Sequence, residues 1–174
     1  MIKKLALIIG FIICLSSCGK DYVYRIEGEL SNLEDQTVYA VFEKDNYKVV
    51  DTVACTKPGQ FQIDQNEAGF HCVTIFFADK EHWVTAYLEP GETVKITGDA
   101  NSPLLLQVKG GRTNDKLTAF KKKIAPLLTE LTNLSNSLNS KDLNDTIEET
   151  DIAARLANVN MQLSEEAIRY VKEN

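Results

Sequence analysis

Between Tyr22 and Gly111, apolar and polar side chains alternate with a period of two, the pattern of strands that bury one face. In the first of them Tyr22, Tyr24, Ile26 and Leu30 share a face, and Arg25, Glu27 and Glu29 take the other. Further strands are predicted over Thr37 to Lys44, Lys48 to Cys55, Gln60 to Asp64, Phe70 to Phe77, Trp83 to Leu88, Thr93 to Gly98 and Leu104 to Lys109. Turn chemistry separates them: Asn32-Leu-Glu-Asp35, Lys44-Asp-Asn-Tyr47, Pro58-Gly59 and Pro90-Gly91 all pre-set or tolerate turn dihedrals. Seven or eight short strands at this spacing predict a mainly β N-terminal domain, an antiparallel β-sandwich or barrel.

After Gly110-Gly111 the period changes. Leu117, Phe120, Ile124, Leu127, Leu131, Leu134 and Leu138 recur at spacings of three and four, an apolar seam on a helix that Thr113 or Asn114 can cap. Pro126 falls inside the seam and should kink or restart the helix, because it lacks a backbone donor and clashes with the preceding turn. Beyond the polar break Asn139-Ser-Lys-Asp142, a second stripe runs through Ile152, Leu156, Val159, Leu163, Ala167 and Tyr170. Two facing stripes on a short link predict a C-terminal α-helical hairpin. The surface through Leu117, Phe120, Ile124, Leu127, Leu131 and Leu134 is the candidate site for a protein partner.

The N-terminus belongs to neither pattern. Met1-Ile-Lys-Lys4 is a short basic segment, and Leu5 to Leu15 is an apolar run of eleven residues broken only by Gly10. A spanning helix needs ~20 apolar residues, so the run reads as a signal-peptide core rather than a retained anchor. Leu15-Ser16-Ser17-Cys18 follows, similar to the lipobox of bacterial lipoproteins, in which the Cys thiol takes a diacylglyceryl group before cleavage. The expected organisation is a signal at 1–17, a lipidated tether at 18–21 beginning with Cys18, a β-domain at 22–111 and the helical region at 112–174. The expected location is the cell envelope, at the outer membrane, facing the periplasm or the surface, with the lipid as the contact to the membrane.

Charge and chemistry narrow the function. The net charge is −6, and loss of Lys3 and Lys4 with the signal takes it to −8, which disfavours nucleic acid as a partner. With Cys14 cleaved off and Cys18 lipidated, Cys55 and Cys72 remain. They enclose a sixteen-residue loop whose closure by a disulfide would contribute ~3 kcal/mol; two buried thiols are an equal reading. There is no Cys-x-x-Cys and no Gly-x-Ser-x-Gly, so neither a thioredoxin-type redox centre nor a nucleophile elbow is expected. His71 and Cys72 adjoin, but neighbours on a strand point to opposite faces. No metal or other cofactor is therefore expected. Gly110-Gly111-Arg112 reads as a turn in preference to an anion cradle. Tyr39, Tyr47, Trp83 and Tyr87 are expected chiefly in the core, with stacking on sugars as the alternative.

Tyr24-Arg-Ile-Glu-Gly28, Val38-Tyr39, Val50-Asp51-Thr52, Gly59-Gln-Phe61, Leu88-Glu-Pro-Gly91 and Gly110-Gly111-Arg-Thr-Asn114, in this order, resemble a domain of unknown function found in Gram-negative lipoproteins. In that family the domain stands between the lipid anchor and a C-terminal thioredoxin-like domain of the TlpA and peroxiredoxin superfamily. The resemblance covers about residues 22 to 123. It implies a protein like the N-terminal part of a thiol-disulfide oxidoreductase without its catalytic half, and no catalytic residue carries over. The expectation is a non-enzymatic scaffold or interaction module. A redox accessory using Cys55 and Cys72, or a surface glycan-binding module, are the alternatives.

Overall fold

The computed structural model describes residues 23–33, 37–139 and 146–173. The expected signal, Cys18 and the tether lie outside the described residues. Among the described residues there are eight strands: β1 (Tyr24–Ser31), β2 (Thr37–Lys44), β3 (Tyr47–Ala54), β4 (Gln60–Gln65), β5 (Cys72–Phe76), β6 (Trp83–Tyr87), β7 (Thr93–Asp99) and β8 (Gln107–Lys109). They form two four-stranded sheets, β4-β1-β7-β8 and β3-β2-β5-β6. Between the sheets lies one apolar core in which Tyr24, Ile26, Val38, Phe42, Val73, Ile75, Val94 and Ile96 are almost wholly buried. Phe61 lies over its cross-strand partner Gly28, where a Cβ would come within 2.1 Å of the ring. Glycine at this position makes room for the largest side chain of β4.

Turn residues act where the alternation stops. Lys44 pairs with Tyr47 across a two-residue turn whose Asp45 takes φ 36°, a conformation Asp tolerates. The predicted strand over Leu104 to Lys109 is shorter than expected, because Pro103–Leu105 make a 3-10 turn and only Gln107–Lys109 pair with β7. One pairing departs from the antiparallel expectation: β1 and β7 run parallel. Parallel neighbours need a long crossover rather than a tight turn, and here the crossover is the whole path from β2 to β6.

The helical region is α1 (Arg112–Lys123), α2 (Ala125–Asn139) and α3 (Thr146–Glu173). As predicted, Pro126 restarts the helix. Ile124 ends α1 at φ −96° and ψ 7°, and Pro126 sits in the first turn of α2, where a missing N–H costs nothing. Leu134 of α2 is buried with Ile152 and Val159 of α3, flanked by Leu127, Leu131, Leu138, Leu156 and Leu163. Glu130 to Arg155 at 3.1 Å, Lys123 to Glu166 at 3.3 Å and the Phe120–Tyr170 ring stack at 4.5 Å fix the two runs as antiparallel. Of the stripe expected to receive a partner, Phe120, Leu127, Leu131, Leu134 and Leu138 pack on α3, all but Leu134 only partly buried.

Helix α1 closes one side of the sandwich with polar side chains. Asn114, expected as a helix cap, is buried instead: its Oδ1 accepts from Tyr87 N at 2.8 Å, and its Nδ2 donates to Tyr87 O at 2.7 Å and to Gly110 O at 2.6 Å. One turn later Thr118 Oγ1 accepts from Val108 N at 3.0 Å and donates to Val108 O at 2.5 Å. Lys121 Nζ then donates to Leu106 O at 3.0 Å. These residues at i, i+4 and i+7 stand in for a missing strand beside both β6 and β8. The cap position belongs to Gly111, at φ 78°. Gly110 has φ 99°, its missing Cβ would meet Thr93 O at 2.1 Å, and its N–H is already donated to Asp115 Oδ1 at 3.2 Å. The paired glycines are a turn, and the carboxylate beside them would repel an anion.

Candidate functional site

The alternation that builds the core also decides what each sheet shows to solvent, and the two sheets differ. On the outer face of β4-β1-β7-β8, Arg25 grips Asp64 through two bonds of 2.7 and 2.8 Å and Glu27 faces Lys95 at 3.7 Å. Gln60, Gln62, Glu29 and Thr97 complete a polar surface. The Arg25 guanidinium holds the Asp64 carboxyl below its ordinary value. Such a face is solvated and needs no ligand.

The outer face of β3-β2-β5-β6 carries few charges and a row of aromatic rings. With Val38, Ala40 and Phe42 of β2 and Val84 and Ala86 of β6 turned inward, their sequence neighbours must face out. Register aligns these in three rows across the sheet: Thr52, Tyr39, Phe76 and Trp83; then Val50, Val41, Thr74 and Thr85; then Lys48, Glu43, Cys72 and Tyr87. Val50 is 63% exposed, Trp83 54% and Tyr87 43%. Phe76 and Trp83 rings lie 6.1 Å apart at 38°, and Lys80 Nζ sits 5.1 Å from the centre of the Tyr39 ring. Tyr39, Val50, Phe76 and Lys80 line an open depression of about 340 Å³. Thr74 and Thr85 hydroxyls bond each other at 3.1 Å, and Lys48 pairs with Glu43 at 2.6 Å.

This reverses the expectation that the rings serve chiefly as core. Trp83 and Tyr87 are on the outside because Val84, Ala86 and Leu88 take the inside. Both sets are apolar, so a period of two does not reveal its own phase. Tyr47 stands apart from the row, at the β2–β3 turn, with its hydroxyl on Glu67 and its ring 6.2 Å from Phe70. Phe76 and Val50 were missed in the sequence; the signal that finds them is apolar residues at both phases of one strand.

Of the two readings open for Cys55 and Cys72, a disulfide or separate thiols, the strand register favours the second. Cys72 lies opposite Glu43 at one end of β2, and Cys55 follows Ala54, which lies opposite Thr37 at the other end. Six residues of strand separate these levels, about 20 Å, where a disulfide needs Cα atoms ~5.5 Å apart. Burial raises both thiol pKa values, and for Cys72 the Glu43 carboxylate, 3.8 Å from Sγ, adds to the rise. Neither is poised as a thiolate. His71 Nε2 is 3.0 Å from Asp45 Oδ1, away from Cys72. Among the described residues no three His, Cys, Asp or Glu side chains converge as metal ligands, and no helix is long and apolar enough to cross a membrane.

Fold and site define a mainly β domain with a helical appendage and an exposed aromatic sheet face. The chain belongs to the family described as domain of unknown function DUF4369, whose family model matches residues 24–117, from the start of β1 into α1. The match includes Asn114, which fastens α1 to the sheet, and stops before Thr118. No curated protein and no solved structure matches the chain.

Proposed function

We propose that the protein is an exported, lipid-anchored, non-catalytic interaction domain of the cell envelope, tethered through Cys18 and binding through the outer face of β3-β2-β5-β6. The observation that carries this reading is the contrast between the two outer faces, one charged and internally paired, the other aromatic and open. The largest exposed apolar patch of a folded domain is often a functional one. The position of the chain's entry supports it. Val23 is held by Gln65 O and Gly91 N at 2.9 Å each, at the end of the sandwich where Tyr24 OH accepts from Gly69 N. The row of Tyr39, Phe76 and Trp83 lies four residues of strand, about 13 Å, further from that end than Glu43. A membrane-proximal Cys18 would put the row towards the end of the sandwich distant from the lipid. Kinship with the N-terminal part of thioredoxin-like lipoproteins fits a scaffold role, and the separation of Cys55 from Cys72 speaks against a redox one.

Two measurements test the reading. Labelled fatty acid should enter the wild-type protein and not Cys18→Ser, which should remain an uncleaved precursor; a labelled mutant would refute the anchor. Hydroxyl-radical footprinting should show Trp83 and Tyr87 protected in intact cells relative to the purified chain, with Gln62 on the other sheet unchanged. Equal modification of Trp83 in both settings would remove the face as an interaction site.

A further inference from the structure

We infer that the occupant of this face is an uncharged glycan chain, stacked on Phe76 and Trp83 and bordered by the Tyr39 ring with Lys80 over it; the inference rests on the reading of the face as an interaction surface. The row crosses three adjacent strands, so its rings span about 10 Å, room for a disaccharide unit. A pyranose presents a face of C–H groups whose positive hydrogens suit the negative face of an aromatic ring. Its hydroxyls project sideways, and the next row meets them with Thr74 and Thr85, whose mutual bond leaves acceptor lone pairs and one donor. Thr52 ends the aromatic row itself.

Charge selects a neutral ligand. The three rows carry one opposite-charge pair, Glu43 with Lys48, and the one cation beside them, Lys80, lies over the Tyr39 ring. A polyanion would need a cluster of cations, and the chain as a whole is at −6. Size selects against a folded partner. Four strands at ~4.8 Å and three outward positions at ~7 Å cover roughly 400 Å², against ~800 Å² per partner in a stable protein interface. Of the other exposed large apolar side chains among the described residues, Tyr47 has its hydroxyl on Glu67 at the β2–β3 turn, and Leu104 and the α3 residues Met161, Ile168 and Val171 bring no ring and so offer no stacking platform.

Trp83 is the sole tryptophan of the chain, which makes the platform its own reporter. The full chain, purified in a detergent without a sugar headgroup, is titrated with cello-, manno- and xylo-oligosaccharides and, in parallel, with a polyuronate. The expected result is a saturable change in tryptophan fluorescence with at least one neutral series and none with the polyuronate. In affinity electrophoresis through the matching polysaccharide, Trp83→Ala and Phe76→Ala should each weaken retardation by ~10-fold or more. Trp83→Phe should retain most of it, and Glu29→Ala all of it. Trp83 is exposed, so its truncation spares the core, and unchanged circular dichroism confirms this. Silence toward every neutral series, binding of the polyuronate alone, or retardation that survives Trp83→Ala would overturn the inference. Silence combined with in-cell protection of Trp83 overturns the glycan and leaves the interaction face standing, whereas silence without protection removes both.

Discussion

At the scale of single residues, the most consequential side chain outside the sheets is Asn114. It closes the hydrogen bonding of Tyr87 on both the N–H and the C=O side, as a neighbouring strand would. Asn114→Ala leaves both groups unpaired under α1 and should cost about 2–3 kcal/mol in urea unfolding. Asn114→Asp keeps the acceptor for Tyr87 N but sets a carboxylate against Tyr87 O and Gly110 O. It should be no better than alanine, and a near-wild-type midpoint would show that the side chain does not bridge the strand. Thr118→Val, equal in shape, should cost about 1–2 kcal/mol, while Thr118→Ser keeps the hydroxyl and most of the stability. The cysteines give a second prediction at this scale. Digestion of the non-reduced protein should yield no peptide joining Cys55 to Cys72, and both thiols should alkylate slowly at neutral pH until the fold is opened, because burial disfavours their thiolates. A joined peptide would require the ends of β2 to meet.

At the scale of elements, α1 is part of the β-domain and α2 and α3 are not. Chain ending at Lys123 should keep the cooperative unfolding of the sandwich, since α1 still covers β6 and β8. Chain ending at Lys109 bares both edges and should aggregate, as unpaired edge strands do; a soluble, folded product would show that α1 is dispensable. How far the elements were legible follows from what each one rests on. The eight strands and the restart at Pro126 depend on local alternation and turn residues, and they stand within a few residues of where these signals put them. The parallel pairing of β1 with β7 depends on a contact almost seventy residues apart in sequence, and no local pattern encodes it. Helix α1 was legible as a helix but not as a strap, because the apolar stripe through Leu117 and Phe120 is the obvious face. The face that matters, Asn114, Thr118 and Lys121, has the same helical spacing written in polar residues. The candidate site was half legible. Trp83 and Tyr87 were noticed as rings, but where both phases of a strand are apolar, only the partner sheet determines which one is buried.

At the scale of the whole molecule there are two cores of unequal size. Among the described residues, twenty-one apolar side chains are buried between the sheets, whereas the core between α2 and α3 holds three, Leu134, Ile152 and Val159, with five more only partly covered, and Ile124 and Leu128 are buried outside both clusters. Burial contributes roughly in proportion to area, and helices of this kind depend on packing rather than on intrinsic propensity. The hairpin therefore has much less to lose on opening than the sandwich. Its attachment is also local. The Phe120–Tyr170 stack and the Lys123–Glu166 pair tie α3 to α1 near its end, and α2 begins beside the 3-10 turn at Pro103–Leu105. Opening α2 from α3 leaves the hydrogen bonds of Asn114 and Thr118 to β6 and β8 untouched. Native-state hydrogen exchange should then resolve two units. Amides from Leu127 to Leu138 and from Ile152 to Leu163 should exchange through a low-energy opening that urea barely changes. Amides of β2, β5 and β7 should exchange only with global unfolding. Tyr170→Ala, which removes the stack on Phe120, should speed exchange in the hairpin and leave the strands as they were. If instead hairpin and strand amides slow and quicken together under urea and in Tyr170→Ala, the molecule is a single cooperative unit and the hairpin is bound into the sandwich more tightly than its contacts indicate.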